Sequence, residues 1–268
     1  MYLKLIYIKM KILAIVYFCL FSFSGIAQYK KNSVAVIEYN YNVKFGDIYY
    51  GKVVLKCVNG KSVSKTLAEI IPDEKDIDLQ KPMVYEKPMD LYQSVDLTEK
   101  QLTMIDRIVA TKYMITEDLP EMNWKLSKEK EFKTINQFVC NKATLIFRGR
   151  SYIAWYTPYI ALPFGPWKFY GLPGLILEVY DIDNNYHWTA TKIVYPSNEE
   201  FDLSELEKQK VKEKISLRQY IGKIEEEKKQ FMAFIRKSVS RGTTVDFGDL
   251  EKRDTPELKY EWEIEKKK

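Results

Sequence analysis

His187 is the only histidine in 268 residues, so the chain has few ways to move a proton near neutral pH. It also cannot build a metal site from two or three imidazoles. Any Ser-His-Asp arrangement would have to use His187, and no Gly-x-Ser-x-Gly elbow offers the serine. Phosphate-binding glycine loops and dinucleotide fingerprints are missing from the sequence as well. The carboxylates best placed for chemistry are Glu178 and Asp181, because paired carboxyls can cleave glycosides. Three residues apart on a strand, they would point to opposite faces. The plainer expectation is one carboxylate hydrogen-bonded inward and one in a turn. This inventory points to no catalytic residue, no metal and no cofactor.

Two other groups of side chains could bind rather than react. Arg148 and Arg150 flank Gly149 with the same parity. They could grip an anionic group or stand in solvent as turn residues. Trp155, Tyr156, Trp167, Phe169 and Tyr170 crowd into one stretch. They are the candidate lining of an apolar ligand groove, set against the commoner fate of aromatics beside a sheet, which is core.

The elements that must position these groups read mainly as strands. Residues 34–45 alternate, with Ala35, Ile37, Tyr39, Tyr41, Val43 and Phe45 on one face and Glu38, Asn40, Asn42 and Lys44 on the other, the pattern of an antiparallel strand with one wet face. Residues 48–58 and 61–70 follow as a hairpin about Asn59-Gly60. The stretch 72–104 reads as an irregular surface excursion through Pro72, Pro82 and Pro88, with a short helix opening at Asp96. Strands are expected at 106–116, from Trp124, at 136–147, at 152–157, at 175–182 and at 186–195. From Leu203 to Val239 the apolar period becomes helical, with Gly222 expected to divide or kink the run. Its mixed Glu and Lys favour packing on the sheet over attraction to anionic lipid. Residues 258–268 alternate and are expected to add a last strand.

The N-terminus reads as a secretory signal, with Lys9 and Lys11 ahead of an apolar run from Ile12 to Phe23 and the small residues Gly25-Ile26-Ala27. Cleavage is expected after Ala27, and Met10 could itself start the signal. Cys19 stands in the wrong context for a lipid anchor, so the product is expected to be exported and released, periplasmic or outer-membrane-associated, with no transmembrane segment in the mature chain. Removing Lys4, Lys9 and Lys11 from the net charge of +5 leaves +2, too little for a nucleic-acid partner. Export leaves Cys57 and Cys140, which form either a disulfide or two separate buried thiols.

One stretch carries a family likeness. Gly171-Leu172-Pro173-Gly174-Leu175-Ile176 spells the motif of the GLPGLI family of exported proteins of Gram-negative bacteria, which the chain resembles. Trp124, Cys140-Asn141-Lys142-Ala143, Gly149-Arg150-Ser151-Tyr152, Ala154-Trp155-Tyr156-Thr157 and Gly165-Pro166-Trp167-Lys168-Phe169 also look like that family. The resemblance is specific over about residues 123–188 and implies export but no established activity. The motif holds no acid, base or nucleophile, so its expected role is backbone geometry: Gly171 and Gly174 free to take positive φ, Pro173 fixing φ.

The fold expected is mainly β (α+β): a curved antiparallel meander, up to an open half-barrel, with C-terminal helices, in one domain over 28–268 that includes the helical segment 203–239. The function expected is a non-enzymatic binding or accessory protein of the cell envelope, holding an apolar ligand, a lipid or a protein partner. The alternatives are an envelope hydrolase using carboxylates and a structural partner of an outer-membrane complex.

Overall fold

Alternation and hairpin turns account for most of the architecture. The computed structural model describes residues 33–45, 47–70, 91–129, 131–239, 253 and 255–264. The expected signal segment, its cleavage site and Pro72, Pro82 and Pro88 lie outside the described residues. Thirteen strands run in chain order: β1 (Val34–Phe45), β2 (Asp47–Val58), β3 (Lys61–Ile70), β4 (Leu91–Asp96), β5 (Gln101–Ile108), β6 (Thr111–Asp118), β7 (Lys125–Leu126), β8 (Phe132–Ile135), β9 (Phe138–Phe147), β10 (Arg150–Thr157), β11 (Leu175–Asp181), β12 (Tyr186–Ser197) and β13 (Glu213–Ser216). The helices are α1 (Ser204–Glu207), α2 (Leu217–Ser238) and the single turn α3 (Glu261–Ile264).

All thirteen join one large open, curved sheet in the order β13-β6-β5-β4-β3-β2-β1-β12-β11-β10-β9-β7, with β8 pairing beside β7 on β9. Two meanders, β2 to β6 and β9 to β12, are stitched together by the long β1–β12 pairing, Val34↔Ser197 to Val43↔Tyr186. Every described pairing is antiparallel except β13 on β6, which is parallel from Glu213↔Tyr113 to Ser216↔Thr116. The main core lies under β1, β2 and β9–β12, where Ile37, Tyr39, Leu55, Leu145, Tyr152 and Val179 are buried.

Four expectations fail. The strand expected at 106–116 is a hairpin, β5 ending at Ile108 and β6 beginning at Thr111. The region 91–104 is ordered strand rather than irregular excursion, and Asp96-Leu97-Thr98-Glu99 is a turn, Asp96 Oδ1 accepting from Thr98 N at 2.9 Å and Glu99 N at 3.1 Å. The segment 203–239 is not two helices about Gly222. It gives one helical turn, then β13, then an unbroken α2 whose start is a capping box of Ser216 and Gln219. Gly222 sits on open surface inside α2, where glycine costs about 1 kcal/mol and need not break the helix. The final strand is instead a strap: Leu258 N and Lys259 N donate to Arg148 O at 2.8 and 2.9 Å, before the one turn of α3.

Candidate functional site

The signature segment, 158–174, connects β10 to β11 by folding back under the sheet. Phe164 and Tyr170 bridge each other. Gly171 N donates to Pro163 O at 2.9 Å, Ile176 N to Phe164 O at 2.9 Å and Leu175 N to Ile160 O at 3.0 Å. Tyr39 Oη reaches across from β1 to Ile176 O at 2.6 Å. Gly171 takes φ +93° and Gly174 φ +151°, values that side chains with a Cβ rarely adopt. A Cβ on Gly174 would stand 2.1 Å from Thr157 O, and one on Gly165 would stand 2.8 Å from Ile176 Cβ.

The aromatic candidates fall into two places. Tyr156 and Phe169 are buried, and Trp167 and Tyr170 are half-buried against the same core. Trp167 packs on Phe147 (5.9 Å between centroids), Phe169 (5.0 Å) and Trp188 (6.1 Å), and Phe169 on Tyr152 at 4.9 Å. Trp124 Nε1 donates to Tyr170 O at 2.8 Å, and Tyr170 Oη donates to Pro120 O. These rings fill a core. Trp155 alone among the candidates lies on the sheet's other face.

Arg148 and Arg150 do grip anions, but internal ones. Arg150 Nη1 donates to Asp181 Oδ2 at 2.9 Å and Nη2 to Thr255 O at 3.0 Å. Arg148 Nη2 donates to Glu117 Oε2 at 2.8 Å, Nε to Glu261 Oε1 at 3.0 Å, and Nη1 to Glu257. Lys168, 1% exposed, completes the lattice through Glu117 (2.5 Å) and both oxygens of Glu257 (2.9 and 3.1 Å). Burial pushes the Glu257 carboxyl up, but the charges of Lys168 and Arg148 outweigh it and hold it below the ordinary carboxylate range. Glu117, Lys168 and Glu257 escape sequence reasoning because they stand 51 and 89 residues apart, with no local pattern to connect them.

The opposite face of β9–β12 carries a second cluster. Lys142, Trp155, Glu178 and Thr189 are register partners across four strands, with Tyr180 and His187 one row on. A one-residue bulge beside Trp155 makes this possible, since Trp155 pairs with Glu178 while Tyr156 pairs with Ile176. The extra residue turns Glu178 away from the core side. His187 Nε2 lies 2.9 Å from Glu178 Oε1 and 3.0 Å from Thr189 Oγ1, and Lys133 pairs with the other oxygen of Glu178. The ammoniums of Lys133 and Lys142 sit 5.8 and 6.0 Å from the Trp155 ring. Burial raises the Glu178 carboxyl, but hydrogen bonds from His187 and Lys133 bring it below the ordinary range. It is therefore held anionic, unlike a general acid, whose affinity for its proton must be raised. Asp181 binds Arg150 and accepts from Tyr186 N at 2.7 Å, so the two carboxylates serve different partners on different faces. Among the described residues, no three of His, Cys, Asp and Glu gather as metal ligands.

Cys57 and Cys140 are free and buried. The bridge left open by the sequence is not formed: β2 and β9 lie five places apart in the sheet, roughly 24 Å of arc at strand spacing, against Cα separations of about 4.4–6.8 Å for a disulfide. Cys57 neighbours Tyr39, whereas Cys140 neighbours Glu178 and Lys133. Burial pushes both thiols up, Cys140 to about 11. Neither is expected to react with a thiol reagent at pH 8 in the native protein, and both are expected to react once it is unfolded. Fast labelling of one in the native state would contradict the burial.

Residues 148–178 match the model of a family described as "protein of unknown function (Porph_ging)", which spans the β9–β10 turn, the signature segment and the first half of β11. No match was found among curated proteins. Among solved structures the chain is similar to PNGF-II in a C2 space group, at 16% identity and a TM-score of 0.47 over 83% of this chain and 37% of that one. It is similar again to PNGF-II in a P21 space group, at 14% identity and a TM-score of 0.46 over 83% and 38%. The chain spans less than two fifths of the length of those chains.

Proposed function

We propose that this chain is an exported protein of the GLPGLI type that works in the cell envelope as a non-enzymatic binding or accessory protein. Its ligand contact is the face bearing Trp155, Glu178, Tyr180, His187 and Thr189, rather than the signature segment. The observation that supports this most is the Trp155 indole: its Nε1 is buried and meets no acceptor among the described residues, while the residue itself and its neighbours Tyr180 and His187 are only half-buried. A buried donor without a partner costs about 1–3 kcal/mol, a cost that an acceptor on a bound molecule would offset once the half-buried ring turns to present its Nε1. A ring flanked by ammoniums, a carboxylate and an imidazole suits a polar ligand with a flat apolar side. The purely apolar groove expected beside Trp167 and Phe169 is occupied by the protein's own core.

The reading is tested by native mass spectrometry of the protein isolated from its own envelope. The parent is expected to carry a bound mass, and Trp155→Ala and His187→Ala to lose it with affinity reduced roughly tenfold or more, as at an interface anchor. Both variants should keep the parent's circular dichroism. A bare mass in the parent, or unchanged retention in both variants, would overturn the assignment.

A further inference from the structure

The face that bears Trp155 does not end at β12. Strand register carries its rows on across the sheet: Trp155, Glu178 and Thr189 continue to Asn40 on β1 and Lys52 on β2, while Tyr180 and His187 continue to Asn42. From β10 to β2 there are four strand spacings, roughly 19 Å. Asparagine is depleted in strands, yet Asn40 and Asn42 hold successive outward positions in the middle of β1. Asn40 is exposed and Asn42 half-buried. Neither side chain has a partner among the described residues, so neither amide supports the fold.

The charges along this track close on themselves. Lys133 pairs with Glu178, Lys142 with Glu131 at 2.9 Å, and Lys192 with Glu38 at 2.8 Å. Lys52, at the far end, has no carboxylate partner among the described residues. One isolated ammonium makes a weak field for an anionic ligand. A peptide would join the sheet through an open edge, whereas the strands from β10 to β2 each have a neighbour on both sides. A lipid tail would need a continuous apolar strip, which Glu178, Thr189 and Asn40 interrupt. The ligand that fits is uncharged, rich in hydroxyls and flat on one side. A sugar ring has that form. Its hydroxyls both donate and accept, as do the asparagine amides and the Thr189 hydroxyl, and its C–H face packs on an indole.

We infer that this face binds an uncharged oligosaccharide laid across β10, β11, β12, β1 and β2. One ring sits on Trp155 beside Glu178 and His187, and the next rings lie over Thr189, Asn40 and Asn42 toward Lys52. The inference rests on the ligand face proposed above and adds to it the chemistry of the ligand and a second stretch of contact.

Isothermal titration calorimetry of the full chain tests it with the hexaoses of glucose, N-acetylglucosamine and mannose, their disaccharides, and hexagalacturonate as an anionic chain of equal length. At least one neutral hexaose should bind, roughly tenfold or more tighter than its disaccharide, with an affinity that raised salt leaves unchanged. Trp155→Ala should abolish that binding. Asn40→Ala and Asn42→Ala should each weaken the hexaose about two- to tenfold, the loss of one hydrogen bond apiece, without changing the melting temperature. No binding of any neutral hexaose, binding of hexagalacturonate alone, equal affinity for hexaose and disaccharide, or full affinity in the double asparagine variant would each overturn the proposal. A native bound mass that Trp155→Ala releases but that fragments as peptide or lipid would overturn the saccharide and leave the ligand face standing.

Discussion

Gly174→Ala is expected to leave little folded protein. Its Cβ would sit 2.1 Å from Thr157 O and 2.7 Å from Thr157 C, and both are backbone atoms of β10, which cannot swing aside as a side-chain tip can. The backbone there also holds φ at +151°. Two independent objections, steric and conformational, meet at one residue, so the loss should exceed about 4 kcal/mol, the range reserved for the severest single substitutions. A stability of about 5–15 kcal/mol in total would barely survive it. The neighbouring glycines grade the effect. Gly165→Ala meets Ile176 Cβ at 2.8 Å, a branch point that must shift with its strand, and should cost less than Gly174→Ala. Gly171→Ala finds its nearest atoms at 3.9 and 4.0 Å and has only the positive φ against it, about 1–2 kcal/mol. Thermal unfolding of the three variants should rank them Gly171, Gly165, Gly174 in rising damage, with about 2–4 °C lost per kcal/mol. A folded Gly174→Ala that lost only ligand retention would return the segment to the status of a binding loop.

Where the sequence was legible, the signal was local. The alternation of 34–45 and the Asn59-Gly60 turn, Gly60 at φ +82°, identify β1 to β3 because each residue's face and each turn's φ are set by near neighbours. The hairpin between β5 and β6 hid itself. Its turn is Val109-Ala110, with Val109 at φ +53° and 69% exposed, and an apolar pair without Gly or Asn reads as strand interior. Glu213 to Ser216 stood in a helical-period run and became a strand because β6 had an open edge to fill, Lys212 N already donating to Lys112 O at 2.9 Å. The same limit holds for the sites. The arginines and aromatics could be singled out by type, but Glu178 was brought to the face of Trp155 only by a bulge in β11 that no residue type announces.

Lys168→Met is expected to cost about 3–5 kcal/mol, the usual result of removing one partner from a buried ion pair. It would leave Glu117 and Glu257, whose side chains are 7% and 9% exposed, sharing the single guanidinium of Arg148. Adding Glu257→Leu removes the surplus negative charge, so the double variant should be more stable than Lys168→Met alone, with a coupling of up to about 3 kcal/mol. Additive losses would mean that the lattice is not acting as a unit. The pH dependence follows from the same charges. Glu257 titrates lower in the folded chain than its ordinary value of 4.5, so its contribution is complete above that value and is lost as pH falls through the lower, folded one. Glu178 has the same sign. Asp106, pushed up chiefly by burial, has the opposite sign and contributes stability that is lost as pH rises through its raised folded value. Melting temperature of the parent should therefore fall below about pH 4, and Glu257→Leu should flatten that limb while lowering the plateau. Hydrogen exchange locates the damage. The strap from Thr255 to Ile264 is fastened through Arg148, Arg150 and Lys168, with Tyr152 Oη on Pro256 O at 2.7 Å, so the amides of Leu258 and Lys259 should lose protection in Lys168→Met before those of β10 and β11. Uniform loss across the sheet would assign the lattice to the whole core rather than to the strap.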